Sequence, residues 1–556
     1  MTLLERIVSN PANVYVANTR EDALAAAISG SGTAAIEITR DPTWPTLEQF
    51  TNDNSQFLKY NPGPQNPTYV WDHTTSSAQR REFAAATNAY TFQQSTNVTI
   101  SMAAFADNAM QAQIDLVDAS AGTIISSKPL GVLLQGGSMD PVTGVTVEKP
   151  QFPYNWQNIR FYSVSTGTIP AGKYQIVFSF SAVNYDQYPG RANPAALSFQ
   201  ADVSAILTGD SIYNPDQNTF YRTINEAVAD AAPNETIELL SGTYQQPSEL
   251  VIDKPLTLRG RSAEQTVVTF DPAVPIGLRL QADDVTVEDM QFIVATESSG
   301  DNWALEIPLK AVPAEAPEEY FSNITIQRAV IQGGRRNAEI AAENLTLRDT
   351  QFVHRGDLDS VNIRVARGTT AIERNVFNGG ELSRAAITVG DSEQYLTTGR
   401  LRVDGNLARS HAEFTRFDLS RFRDIEELAV INNTVEYVPQ EVPTSSAVTL
   451  MPPLESLGFE QLPAIQFEQN TIDNPNPGEN LAVYLDYLQG GIAVPAEGQI
   501  KVYDNVFNIP RPWGVEGDTV SEIAPVGFSP EAPQGISLAV FDLKGNIVPP
   551  EIPPVQ

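Results

Sequence analysis

The chain runs to 556 residues and carries 67 acidic side chains against 35 lysines and arginines, a formal charge of -32. A surface of that sign repels nucleic acid and anionic membrane, so neither is an expected partner, whereas divalent cations suit it. There is no cysteine, which removes disulfides, thiolate metal sites and thiol nucleophiles. No apolar run approaches a membrane span, so no membrane insertion is expected. The length calls for two or three domains unless a repeat lets one domain grow along an axis.

Residues 1–75 read as a leader and connector. Within them TREDALAAAISGSGTAAIEITRD places Ala23, Leu24, Ala27 and Ile28 at helical spacing, then alternates at Ile36 and Ile38 as a strand does. Pro and Asn become frequent afterwards (DPTWPTLEQF, YNPGPQNPTY), the composition of an extended connector. The first residues, MTLLERIVSN, hold an acid early and no apolar core of signal-peptide length. The expected location is a cell or particle surface, or the exterior, without a visible signal peptide. From 80 to 207, alternating runs such as TNVTISMAAF, AQIDLVDA and GKYQIVFSFSAV are separated by turn residues. They predict an antiparallel β-sandwich of jelly-roll or carbohydrate-binding type.

Beyond 208 the segment FYRTINEAVADAAPNETIELLSGTYQQPSELVIDKPLTLRGRS predicts a short amphipathic helix (Ile224, Ala227, Val228, Ala231), a Gly-Thr-Tyr turn and a strand at Leu256 and Leu258. A repeated strand onset then follows, at Leu256, Val285, Ile324, Leu345, Thr370, Leu401, Leu428, Ile465 and Ile500. Farther along most of these repeats an apolar residue returns, at Phe292, Ile331, Phe352, Phe377, Val435, Ile472 and Phe507, with Ala408 as the exception. Between the two, one place is asparagine in successive repeats: Asn375, Asn406, Asn433, Asn470 and Asn505. Stacked coils explain that column, because each amide can bond the coil above or below, and Asn tolerates the left-handed backbone of a sharp bend. These asparagines are structural on this reading. Residues 511–556 are Pro-rich, and SLAVFDLKGNIV among them has the pattern of one more strand pair.

The capping helix, the GTY turn, the LTLRG strand and the asparagine column resemble the right-handed parallel β-helix, or pectin-lyase-like, superfamily over residues about 208–510. The resemblance implies a right-handed parallel β-helix at 208–510, and with the leader, the jelly-roll-like antiparallel sandwich read at 80–207 and the Pro-rich segment 511–556 the chain is expected to be all-β. Enzymes on this fold are mostly lyases and hydrolases of acidic polysaccharides. The lyases need carboxylates that hold calcium and a base, often Arg; the hydrolases need two or three carboxylates across a groove. The Gly-His-Gly and Arg-x-Lys segments of such hydrolases are missing, and none of His73, His354 and His411 lies between glycines.

Two groups remain as candidates. Asp283 and Asp284, with Glu288 and Asp289 close after, form an acidic group open to calcium, the one cofactor kept in view. Ser322 and Asn323, then Glu343 and Asn344, fall in register with Asp283 and Asp284, and a solvated turn accounts for that column more simply than calcium does. The second group is HRGDLDSVNIR, where His354, Arg355, Asp357 and Asp359 lie in a charged loop that could be catalytic. Arginines concentrate between Arg335 and Arg423, either as a strip for an acidic partner or in internal ion pairs. The leader repeats the helix-then-strand plan of the capping segment, so it is expected to cover a β-helix edge in a neighbouring copy, packing in cis being the rival. The functional expectation is therefore a non-catalytic surface protein that self-associates and displays a glycan-binding module. The alternative is a polysaccharide lyase or glycoside hydrolase acting on acidic polysaccharide.

Overall fold

The structure is a computed structural model. It describes residues 2–42, 44–47, 67–76, 79–107, 109–130, 138–140, 144–146, 159–184, 194–206, 211–295, 301–310, 319–380, 383–392, 395–437, 446–453, 464–475, 481–487, 491–514 and 516–548. Most of the connector expected around 40–69 and the last prolines lie outside these residues. The chain forms two compact units, Met1–Tyr213 with Gln217–Arg222, and Asn214–Asp216 with Thr223–Gln556.

The first unit is a sandwich of two antiparallel sheets. In one, strand Thr96–Asp107 lies between Arg160–Ile169 and Ala196–Ile206. In the other, Gly172–Asn184 lies between Ala109–Asp118 and Gln79–Ala86. Phe199 of the first sheet packs on Phe178 and Phe180 of the second, with ring centroids 6.3 and 4.7 Å apart. The Pro170–Ala171 link carries the chain from one sheet to the other.

The leader is part of this sandwich. Strand Thr2–Val8 pairs antiparallel with Ala196–Ile206, and the buried Arg6 guanidinium makes two bonds to Asp202, at 2.6 and 2.8 Å. Helix α1 (Arg20–Ser29) opens on Thr19, whose side chain accepts from the Asp22 N–H, and closes on Gly30 in the left-handed region. Its Ala23, Leu24 and Ala27 pack on Ala84, Val117 and Val177 of the second sheet. The expectation that the leader caps a neighbouring copy is therefore corrected: its described strand and helix bury their apolar faces in cis.

The second unit is the parallel β-helix. Helix α2 (Ile224–Asp230) opens it with a reciprocal Thr223–Glu226 capping box and buries Ile224, Ala227 and Val228. Each coil then contributes a strand to a first, a second and a third sheet. The register of the first sheet matches Ile324 to Leu345, Thr370, Leu401, Leu428, Ile465 and Ile500 in turn. Among the described residues the second sheet has ten strands, with Phe292, Ile331, Phe352, Phe377, Ala408, Val435, Ile472 and Phe507 stacked in one column. Phe352 lies nearly parallel to Phe377, 5.0 Å away.

At the corner between these two sheets each asparagine amide donates twice. Asn406 Nδ2 bonds Ile372 O at 2.8 Å in the coil below and Asn433 Oδ1 at 2.9 Å in the coil above, and Asn433 Oδ1 also accepts the Asn406 backbone N–H at 2.9 Å. The pattern runs from Asn375 to Asn505 and ends on Asn546, one asparagine beyond those read from the sequence. The left-handed backbone does not fall on these residues. It falls one place earlier, at Arg374, Gly405, Asn432, Gln469, Asp504 and Gly545, with φ between 52° and 67°. The asparagines are selected for their amides rather than for an unusual φ. Strand Phe541–Lys544 adds the last rung to the first sheet, against Ile500–Tyr503.

Candidate functional site

The third sheet carries the polar column that matters. Its register aligns Arg279, Glu306, Glu339, Asn362, Thr388, Arg416, Thr449 and Tyr484, one from each successive coil. Their neighbours along each strand, such as Leu305, Ile340, Ile363, Ile387 and Phe417, are fully buried. Alternation along a strand therefore sends the whole column to the opposite, outer face.

Glycines set the approach to this face. Gly333 and Gly334 have φ of 86° and 75°, and a Cβ on Gly333 would stand 1.8 Å from the Val294 carbonyl oxygen. This turn delivers Arg336 and Asn337 to the start of the strand. Asn337 Nδ2 then holds the Gly333 and Val353 carbonyls at 2.9 and 3.1 Å, while its Oδ1 accepts the Ser360 hydroxyl at 2.7 Å. One further glycine, Gly390 at φ 89°, ends strand Ala385–Val389 and places Asp391 beside the column.

The centre is a cluster of carboxylates around one guanidinium and one amide. Glu339 Oε2 accepts Arg336 Nη1 at 2.5 Å and Asn362 Nδ2 at 3.1 Å. The same Asn362 nitrogen donates to Asp391 Oδ2 at 3.2 Å, and Arg336 Nη2 lies 3.4 Å from that oxygen and 3.8 Å from Asp359 Oδ2. Arg364 stands 3.6 Å from Glu339, and the Arg336 guanidinium lies over the Trp303 ring at 5.5 Å. Burial raises the Glu339 carboxyl above its ordinary pKa, against the opposing pull of Arg336, Asn362 and Arg364. Asp391 by contrast has a side chain 56% exposed. Three polar atoms of successive coils, Arg336 Nε, Asn362 Oδ1 and Thr388 Oγ1, are buried without a hydrogen-bond partner among the described residues.

Of the catalytic and calcium candidates read from the sequence, Asp359 alone reaches this cluster, joined by Arg364 of the arginine-rich stretch; Asp359 is buried and accepts the Ala385 N–H at 3.2 Å. Asp357 is held by Arg335 at 2.7 Å, a bond that keeps its pKa low, and Arg355 donates to the His354 and Gly379 carbonyls. His354 is buried and bonds the Leu358 carbonyl. Asp283 meets Lys310 and Ser322; burial opposes its ionisation, yet those partners hold its pKa below the ordinary value. Asp284 accepts from Asn323, which accepts from Asn344, an exposed column at a left-handed turn. Glu288 is gripped by Arg259, Gln327 and Arg328, and Asp289 by Arg328. Guanidinium and ammonium groups thus occupy the places where calcium was considered, and no group of three potential metal ligands occurs among the described residues. Much of the arginine-rich stretch is paired internally, as in Arg374–Asp349 and Arg409–Glu436.

Glu339, Asn362, Asp391, Arg336 and Thr388 were not read from the sequence. In WALEI, NAEI, VNI and ITV the column residue is a polar side chain between two apolar ones. That signal needs the third strand of every coil to be in register, and loops of unequal length hide it.

The fold is that of parallel β-helix proteins. No protein-family model matches the chain, and no curated protein matches it. Among solved structures it is similar to the catalytic domain of a GH87 alpha-1,3-glucanase variant in complex with nigerose, at 11% identity over 86% of this chain and 92% of that one, TM-score 0.38. It is also similar to the catalytic unit of the GH87 alpha-1,3-glucanase from Streptomyces thermodiastaticus, at 12% identity over 97% and 96%, TM-score 0.30. A further similarity is to the A-module of a mannuronan C-5 epimerase from Azotobacter vinelandii, at 14% identity over 62% and 98%, TM-score 0.32. Likenesses this distant assign no activity. The leader expected to join copies folds in cis, and the expectation of a non-catalytic, self-assembling surface protein is withdrawn. No described helix is long and apolar enough to cross a membrane.

Proposed function

We propose that the chain is a carbohydrate-active enzyme that hydrolyses a glycosidic bond on the outer face of the third sheet. One observation carries this reading: Glu339 and Asp391 share a single donor nitrogen, that of Asn362, with one carboxyl buried and the other open to solvent. Glycoside hydrolysis needs such a pair, one carboxylic acid kept protonated to donate to the leaving oxygen and one carboxylate to activate water or attack the sugar. Burial raises the Glu339 pKa and suits it to the acid role. Asp391 is the partner carboxylate, and Arg336 and Asn362 hold the two in place. The rival, β-elimination from a uronate, would leave an unsaturated product.

The test is to incubate the purified chain with alpha-1,3-glucan, polymannuronate and polygalacturonate, following new reducing ends and the ultraviolet absorbance of unsaturated uronate. Hydrolysis gives the first without the second. Glu339→Gln and Asp391→Asn should each lower the rate by about 10²–10⁴-fold. A Glu339→Gln protein with the wild-type rate would remove the assignment.

A further inference from the structure

The site's charges and unfilled hydrogen bonds also specify what kind of glycan it takes, an inference that rests on the hydrolase reading. Between residues 223 and 556 every lysine and arginine is among the described residues, because the stretches outside them contain neither. The arginines of the column and its edge are already matched by carboxylates. Arg279 lies between Glu249 and Glu306 at 2.7 and 2.6 Å, and Arg336 meets Glu339, Asp359 and Asp391. Arg364 faces Glu339, and Arg416 faces Glu413 at 3.3 Å and Asp486 at 3.4 Å. Arg384, exposed before strand Ala385–Val389, has no carboxylate partner among the described residues. A polyuronate would bring one more carboxylate with every sugar. Each such carboxylate would meet like charge at close range, which disfavours binding.

The unfilled valences ask for hydroxyls, which neutral glycans and polyuronates both carry, so the charge count decides between the two. Asn362 Oδ1 can only accept, so its ligand must donate; a carboxylate cannot, and a hydroxyl can. Arg336 Nε can only donate, and Thr388 Oγ1 does either. Three adjoining coils, about 4.8 Å apart, therefore ask for groups that both donate and accept. We propose that the site binds an uncharged, hydroxyl-rich glycan lying across the coils of Glu339, Asn362 and Thr388. This replaces the acidic substrate suggested by the sequence.

The experiment is affinity electrophoresis of wild type, Glu339→Gln and Asn362→Leu. The gels contain dextran, galactomannan, xyloglucan or alpha-1,3-glucan, or else polygalacturonate or alginate with and without calcium. Reducing-end release by wild type on the same polymers runs in parallel. The expected result is retardation by at least one neutral polymer and by neither polyuronate, kept in Glu339→Gln and weakened about tenfold in Asn362→Leu. Retardation by a polyuronate that Asn362→Leu abolishes overturns the inference and leaves the hydrolase reading standing. Retardation that Asn362→Leu leaves unchanged overturns the site. A neutral polymer bound through Asn362 but never cut by wild type supports the inference and removes the hydrolase reading. No retardation by any polymer overturns both.

Discussion

The corner between the first and second sheets and the outer face of the third sheet are built the same way, with one side chain per coil stacked along an axis. They differ in how their hydrogen-bonding capacity is used. At the corner both amide hydrogens of Asn433 are donated, to Val403 O and Asn470 Oδ1, and its own Oδ1 accepts twice. On the third sheet Asn362 donates both hydrogens to carboxylates of different coils, yet its Oδ1 and the next coil's Thr388 hydroxyl have no partner among the described residues. A closed network rigidifies a fold, whereas an open one leaves binding capacity that the fold does not use. The same residue type is thus structural at one corner and a ligand-facing group on one face.

Substitutions can break this contrast from either side. The largest effect expected is on activity: Glu339→Gln should lose about 10²–10⁴-fold in turnover while its urea midpoint stays near wild type, because one buried carboxylate becomes an amide of equal size. In the closed column Asn433→Ala should do the reverse and lower unfolding stability by about 3–5 kcal/mol, since it strands the Asn406 donors and the Val403 carbonyl. Urea titration checks this. Arg336→Gln should move the alkaline limb of the pH–rate profile upward, because Arg336 favours the ionised form of Glu339 and its loss lets burial raise that carboxyl further.

A smaller effect concerns acid stability. His354 and His411 are buried and stacked with centroids 6.1 Å apart; burial lowers both, His411 to about 3 from 6.5. The unfolded chain therefore takes up protons first. Stability should be level above about pH 7 and decline as the pH falls from about 6.5 toward about 3, with a shallower decline in His411→Leu. The smallest effect is Thr388→Val, within about 0.5 kcal/mol of wild type, because an unpartnered hydroxyl is replaced by a group of the same shape. Its effect should appear in binding instead.

Much of the β-helix was legible because two of its strands are separated by a corner of constant length. Leu401-x-Val403 and Asn406 keep their spacing in every later coil, so the first sheet, the corner and the second sheet could be aligned without coordinates. Asn546 belongs to the same pattern, FDLKGN, and was hidden by its Pro-rich surroundings. The leader's helix was also legible from Ala23, Leu24 and Ala27, but not its partner: amphipathic spacing shows that a face must be buried and not which surface buries it.

The candidate site lay beyond the sequence for a related reason. Glu339, Asn362 and Asp391 are separated by loops of different lengths, and Arg336 and Trp303 come from different coils. Local periodicity determined which residues face inward and which corner repeats, because those depend on neighbours a few places away. Only the winding of whole coils, set by chain closure over tens of residues, decided which polar side chains stack on the third sheet. That stacking brought two carboxylates to one amide.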